Sequence, residues 1–292
     1  MDFGRLIVAM ATPFREDLEL DPGKAVELAK RLIADGVDAL VLSGTTGESP
    51  TLTRQEKIDL IKAVRKAVSV PLIGNAGTNS TAASIQNALD AEEAGADGLL
   101  LVAPYYNKPD QGMLYDHFAA IASSVKIPSM LYNVPGRTGI SIRPETIVKL
   151  SHDVPSISML KDAAGVLDDT TIVIKSAAPG FRVYTGEDSL TLPTLAIGGY
   201  GVVSVTGHVA GRIMKKMIEA YLAGDNAEAA ALHVKLQAIN KALFLQPNPV
   251  PVKMALRLCG FDAGSLRAPL KDASPEVTAA LHAALADLGL VK

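Results

Sequence analysis

The chain has 292 residues, of which 48% are hydrophobic and 20% charged. That length and balance suit one large folded domain and exclude a disordered or fibrous chain. The formal net charge is −3 and no basic run occurs, which excludes a phosphate-backbone tract, so no nucleic-acid partner is expected.

The chain opens Met1-Asp2-Phe3-Gly4-Arg5-Leu6, with no basic stretch leading into a long apolar one. No signal peptide is expected, and no apolar run approaches the roughly 20 residues of a membrane span. Short apolar runs then recur at 6–12, 38–44, 71–77, 98–104, 128–134, 157–163, 181–186 and 201–206. Several are near-continuously apolar, as in Leu99-Leu100-Leu101-Val102, which is the pattern of strands buried on both faces of a parallel sheet. The segments between them carry helical periodicity. Ile58, Ile61, Val64 and Val68 fall on one face, and Pro71 ends that helix and opens the next strand. Gly36-Val37 and Ala94-Gly95-Ala96 look like helix C-caps feeding a strand.

Eight alternating units predict a closed (β/α)8 barrel over residues 1–224. A doubly wound open sheet is the alternative, but the first strand is not followed by Gly-x-Gly-x-x-Gly. Residues 225–292 read as a helical extension, with Pro247, Pro249 and Pro251 preceding a helix near 252–258 and a last helix from Pro275. The single cysteine, Cys259, reads as a buried small hydrophobe in a C-terminal helix. It cannot form an intrachain disulfide, so a reducing, cytoplasmic location is expected.

Barrel active sites lie at the C-terminal ends of the strands. The second strand ends in Gly44-Thr45-Thr46-Gly47-Glu48 and the fourth in Pro104-Tyr105-Tyr106-Asn107-Lys108-Pro109. The fifth ends in Tyr132-Asn133-Val134-Pro135-Gly136-Arg137-Thr138, the sixth in Lys161-Asp162 and the seventh in Gly186-Glu187-Asp188. The eighth holds Val203-Ser204 and leads to His208. The set offers one lysine, several hydroxyls, an arginine and glycine-rich turns. The five histidines (His117, His152, His208, His233, His282) are dispersed, so neither a metal nor another cofactor is expected.

Lys161 follows the apolar stretch Ile157-Ser158-Met159-Leu160. Burial disfavours the charged ammonium, and a neutral amine can attack a carbonyl to form an imine. Taken alone, a strand-end lysine more often snorkels to solvent. Tyr132 could carry protons to and from such an intermediate, or simply fill the barrel. Thr45 and Thr46 could bind a carboxylate, or serve only the turn. Arg137 could pair with a second carboxylate, or be a solvated loop charge. Their position on one rim of one barrel favours the chemical reading: a Schiff-base lyase.

These motifs, with Gly201-Val202-Val203-Ser204-Val205-Thr206 and Pro247-Asn248-Pro249-Val250-Pro251-Val252-Lys253, run in order along nearly the whole chain. On them the chain resembles the dihydrodipicolinate synthase (4-hydroxy-tetrahydrodipicolinate synthase) family of the class I pyruvate-aldolase superfamily. The resemblance implies that Lys161 forms a Schiff base with pyruvate and that Tyr132 donates and accepts protons. It implies a hydroxyl relay through Thr45 and Tyr106, the latter reaching in from a neighbouring subunit. Thr46, the Val203 backbone and Gly186 are implied in substrate binding, and Arg137 in receiving L-aspartate 4-semialdehyde. A homotetramer, built as a dimer of dimers, is implied, in lysine and diaminopimelate synthesis. N-acetylneuraminate lyase and 2-keto-3-deoxy-sugar-acid aldolases share the lysine and tyrosine and are the alternative. The Tyr105-Tyr106 pair and Arg137 side with the synthase. The chain departs from the family pattern at Glu187, usually Asp or Asn, and at Gln246, often Glu. At the positions that bind lysine in feedback-inhibited members it carries Arg54, Lys57 and Ala83 in place of imidazoles and a carboxylate. Two cations repel a lysine ammonium, so weak or absent lysine inhibition is expected.

Overall fold

The computed structural model describes residues 1–291. Strand and helix alternate from the start: β1 (Leu6–Ala9), α1 (Pro22–Ala34), β2 (Ala39–Leu42), α2 (Arg54–Arg65), β3 (Leu72–Asn75), α3 (Thr81–Ala94), β4 (Gly98–Val102) and α4 (Gln111–Ala122). Next come β5 (Ser129–Asn133), the one-turn helix α5 (Pro135–Thr138), α6 (Pro144–Asp153), β6 (Ile157–Asp162), α7 (Leu167–Ser176), β7 (Arg182–Thr185), α8 (Thr191–Ala196) and β8 (Gly201–Ser204). The rest is helical: α9 (Gly207–Leu222), α10 (Asn226–Ala242), α11 (Val250–Leu258) and α12 (Pro275–Asp287). The eight strands form a closed parallel barrel in chain order, as the eight apolar runs predict.

Each strand is shorter than its apolar run, because the run outlasts the regular ladder. Past β1, for example, Met10 still donates its N–H to Val41 O at 2.9 Å. Every residue of β1, β2, β3 and β5 is buried, which is why those runs do not alternate.

Two compact units make up the chain, Met1–Val70 with the segment from Ser204 onward, and Pro71–Val203. In the first unit β1 pairs with β2, placing Ile7 beside Ala39 and Ala9 beside Val41. Helix α1 starts where Asp21 accepts the Lys24 N–H at 2.9 Å, with Pro22 in its first turn. Helix α2 starts on a reciprocal capping box between Thr53 and Glu56. Its buried face is Leu60, Ile61 and Val64 rather than the predicted Ile58, Ile61, Val64 and Val68. The helix stops at Arg65, whose guanidinium takes the carbonyls of Val68 and Val70, so Val68 lies beyond it. Helix α11 begins at Val250, two residues earlier than read, because Pro251 sits in its first turn, where no N–H is needed. Cys259 is the C-cap of α11 and only half-buried, which corrects the expectation of a core residue. Burial still pushes its thiol up.

In the second unit the ladder runs from β3 through β8. Its register sets Tyr132 of β5 beside Lys161 of β6, and Lys161 beside Tyr184 of β7. Gly95 caps α3 in the left-handed region (φ 99°), as its position before a strand predicts. None of the helices described is long and apolar enough to cross a membrane.

Candidate active site

The second unit holds the lysine and the tyrosine. Lys161 is 5% exposed at the end of β6. Its Nζ lies 4.3 Å from the centroid of the Tyr132 ring, over the negative face of the π system. Strand pairing dictates that approach, because the two residues are register partners on neighbouring strands. The next pair in register, Asn133 and Asp162, locks it: Asn133 Nδ2 donates to Asp162 Oδ1 at 3.2 Å. Asp162 Oδ2 accepts from Thr170 Oγ1 at 2.8 Å. Burial raises the Asp162 carboxyl above the usual range, against the hydrogen bonds from Thr170, Ala164 and Asn133.

Gly186 explains how a long side chain fits there. A Cβ at this position would stand 2.9 Å from Lys161 Cε and 2.8 Å from Ala163 Cβ. The lysine stem thus occupies the volume a side chain at 186 would need. Beside it Glu187 is half-buried, and burial pushes its carboxyl up. Arg137 is exposed on α5. The base of that loop is fixed by Asn133, whose Oδ1 accepts the Ile142 N–H at 3.0 Å. Tyr106 is 89% exposed, with a left-handed backbone (φ 74°) in the loop after β4. That conformation is costly for an aromatic residue. Val203 is buried in β8.

The first unit holds the threonine turn. Thr46 is buried and its Oγ1 accepts from Asn248 Nδ2 at 2.8 Å, whereas Thr45 is partly exposed. Thr12 Oγ1 donates to Gly47 O at 2.7 Å from below. Glu48 closes the turn in the left-handed region (φ 56°) and is buried against Lys253. His208, the one histidine near a strand end, is fully buried. Its Nε2 accepts the Ala11 N–H at 3.0 Å and its Nδ1 faces Val205 O at 2.8 Å. Both ring nitrogens are thus spent on backbone. Burial pushes its pKa down to about 4, so the ring is a neutral structural link.

Sequence reasoning missed three partnerships: Asn248 with Thr46, Lys253 with Glu48, and Asn133 with Asp162. One signal was available, since Lys253 interrupts an otherwise apolar run (Val250-Pro251-Val252-Lys253-Met254-Ala255-Leu256) and, if buried, needs a counter-charge. At the departure Gln246, the side-chain Oε1 accepts the Ser274 N–H at 3.0 Å, ahead of α12.

A closed barrel with a buried strand-end lysine against a tyrosine ring fits the class that the comparisons show, a (β/α)8 lyase. The Dihydrodipicolinate synthetase family model matches residues 2–288. A 4-hydroxy-tetrahydrodipicolinate synthase of Moorella thermoacetica is 49% identical over 293 residues, covering 100% of both chains. Among solved structures, the Cyanidioschyzon merolae synthase with lysine bound superposes with a TM-score of 0.97 at 42% identity, covering 99% of each chain. That of Bacillus anthracis does so at 0.96 and 45%, covering 98% of each. The chain belongs to the dihydrodipicolinate synthetase family.

Proposed function

We propose that the protein is a 4-hydroxy-tetrahydrodipicolinate synthase, joining pyruvate to L-aspartate 4-semialdehyde. The observation that carries this reading is the buried Lys161 amine held 4.3 Å over the Tyr132 ring in a chain of this family. The Lys161 amine attacks C2 of pyruvate, and loss of water from the carbinolamine gives an imine. Tyr132 passes the protons, with Thr45 and Tyr106 relaying them to solvent. Removal of a C3 proton gives an enamine, which attacks the aldehyde carbon of the second substrate. That substrate's own amine then displaces Lys161, closing the ring and freeing the enzyme. The imine is the electron sink, so no cofactor takes part.

Thr46 and the backbone at Val203 hold the pyruvate carboxylate, and Gly186 lines the site. Arg137 takes the carboxylate of the semialdehyde by a two-pronged contact, which its exposure on a short helix permits. Tyr106 completes the relay in a partner subunit, and its 89% exposure supports that placement. The assembly is a homotetramer made as a dimer of dimers, working in the cytoplasm in lysine and diaminopimelate synthesis. A steady-state assay with pyruvate and the semialdehyde tests the reading. Turnover is expected; cleavage of a sugar acid with no such turnover would assign the chain to the aldolases of the same superfamily. An active monomer on gel filtration would remove Tyr106 from the relay.

A further inference from the structure

The reading that Thr46 holds the pyruvate carboxylate leaves open how a hydroxyl is made a reliable donor to an anion, and the inference below rests on that reading. A threonine hydroxyl has one proton and two lone pairs, and a carboxylate only accepts. Thr46 can therefore hold a carboxylate only by spending its single proton on it. If a neighbour accepted that proton, the hydroxyl would face the substrate with lone pairs.

Asn248 decides the matter. Its Nδ2 donates to Thr46 Oγ1 at 2.8 Å, and both residues are buried. The bond occupies a lone pair and leaves the proton of Thr46 uncommitted. Its geometry is set from both sides. Thr46 is β-branched and stiff about χ1. Asn248 lies between Pro247 and Pro249, whose rings fix the backbone, and Val250 N–H closes back onto Pro247 O at 2.9 Å. Five residues on, Lys253 pairs with Glu48 at the far end of the same turn. The C-terminal segment thus grips the threonine turn at two points, one of which fixes a hydrogen-bond direction. The Asn248 Oδ1 is itself buried with no hydrogen-bond partner among the described residues.

We propose that Asn248 is a positioning residue that acts through Thr46, fixing its hydroxyl as a donor toward the substrate carboxylate. Its effect belongs to pyruvate binding and not to the proton transfers on Lys161.

The test is a double-mutant cycle read as separate KM and kcat values for each substrate. T46V establishes the parent reading by raising the pyruvate KM. N248A should raise the pyruvate KM about 3- to 10-fold, the worth of one neutral hydrogen bond. It should leave kcat at saturating pyruvate and the semialdehyde KM near those of the parent. In the T46V background N248A should add nothing. N248D keeps the size but takes the Thr46 proton and sets a negative charge beside the anion. It should raise the pyruvate KM further, by about 10- to 100-fold. If either Asn248 variant fails to fold, the other decides. Effects of N248A and T46V that multiply, or an N248D enzyme with the parent's pyruvate KM, would overturn the role of Asn248 while leaving Thr46 in place. A T46V enzyme with an unchanged pyruvate KM would overturn the parent reading, and this inference with it.

Discussion

Lys253 Nζ lies 2.7 Å from Glu48 Oε1 with both side chains almost wholly out of solvent, so an ion pair joins the turn after β2 to α11. Lys253 also donates to Ser265 O at 2.9 Å and sits over the Phe14 ring, 4.3 Å from its centroid. The other Glu48 oxygen accepts the Arg267 N–H at 2.9 Å. Burial pushes the Lys253 ammonium down, and Glu48 opposes that shift. Removing one member strands a buried charge. K253M is expected to lose about 3–5 kcal/mol of stability, and E48Q/K253M to recover part of that loss. Denaturant titration of the three proteins checks this. A single variant as stable as its parent would show the charge reaching water.

Gly186 gives a sharper mark of the site. G186A places a methyl where the Lys161 stem runs, 2.9 Å from Cε. The lysine must move, and displacement of a nucleophile by about 1 Å costs on the order of 100-fold in rate. The expected result is a fall in kcat of that order with the fold retained by circular dichroism. Parental kcat in G186A would mean that the Lys161 side chain does not run past Gly186 in the working enzyme.

His208 ties stability to pH. Its pKa is about 4 in the folded chain, against an unperturbed 6.5. As pH falls the unfolded chain takes the proton first, so the depressed folded value works against stability in acid. The contribution is whole above about pH 6.5 and shrinks toward pH 4. The slope from this one group reaches about 1.4 kcal/mol per pH unit. Unfolding free energies between pH 7 and 4.5 should show it, and H208Q should flatten the curve by that amount. An equal slope in H208Q would assign the acid lability to other groups.

Feedback control is the fourth expectation specific to this chain. The family resemblance implies that Arg54 and Lys57 replace imidazoles, and Ala83 a carboxylate, of the lysine site in feedback-inhibited members; on that reading we propose weak lysine inhibition. L-lysine should leave turnover nearly unchanged up to millimolar concentration. Half-inhibition at micromolar lysine would show an ammonium site built from other residues.

The barrel was legible because most strands are mainly apolar and buried on both faces, as β1 and β2 are throughout, and such runs need no knowledge of their neighbours. The placement of Lys161 and Tyr132 at strand ends was legible for a related reason, since both follow such runs, and the structure pairs them in register. Strand limits were less so: the buried run past Ala9 continues to Phe14, and only backbone geometry ends the strand. The partners of Thr46 and Glu48 were not legible, because Asn248 and Lys253 lie about 200 positions away in the chain. No periodicity links residues that only the fold brings together. Gly186 was read as a substrate-binding residue, while its steric role depends on where one lysine stem passes. Cys259 was placed in the core by its residue type, yet a C-cap at the end of a short helix is half-open to solvent.

The central claim is that Lys161 carries pyruvate as an imine. Borohydride reduction in the presence of pyruvate, followed by peptide mass spectrometry, tests it most directly. The account predicts one reduced pyruvate per chain, on the peptide holding Lys161, with loss of activity and no adduct in K161A. An adduct on a different lysine, or none while the enzyme turns over, would contradict it.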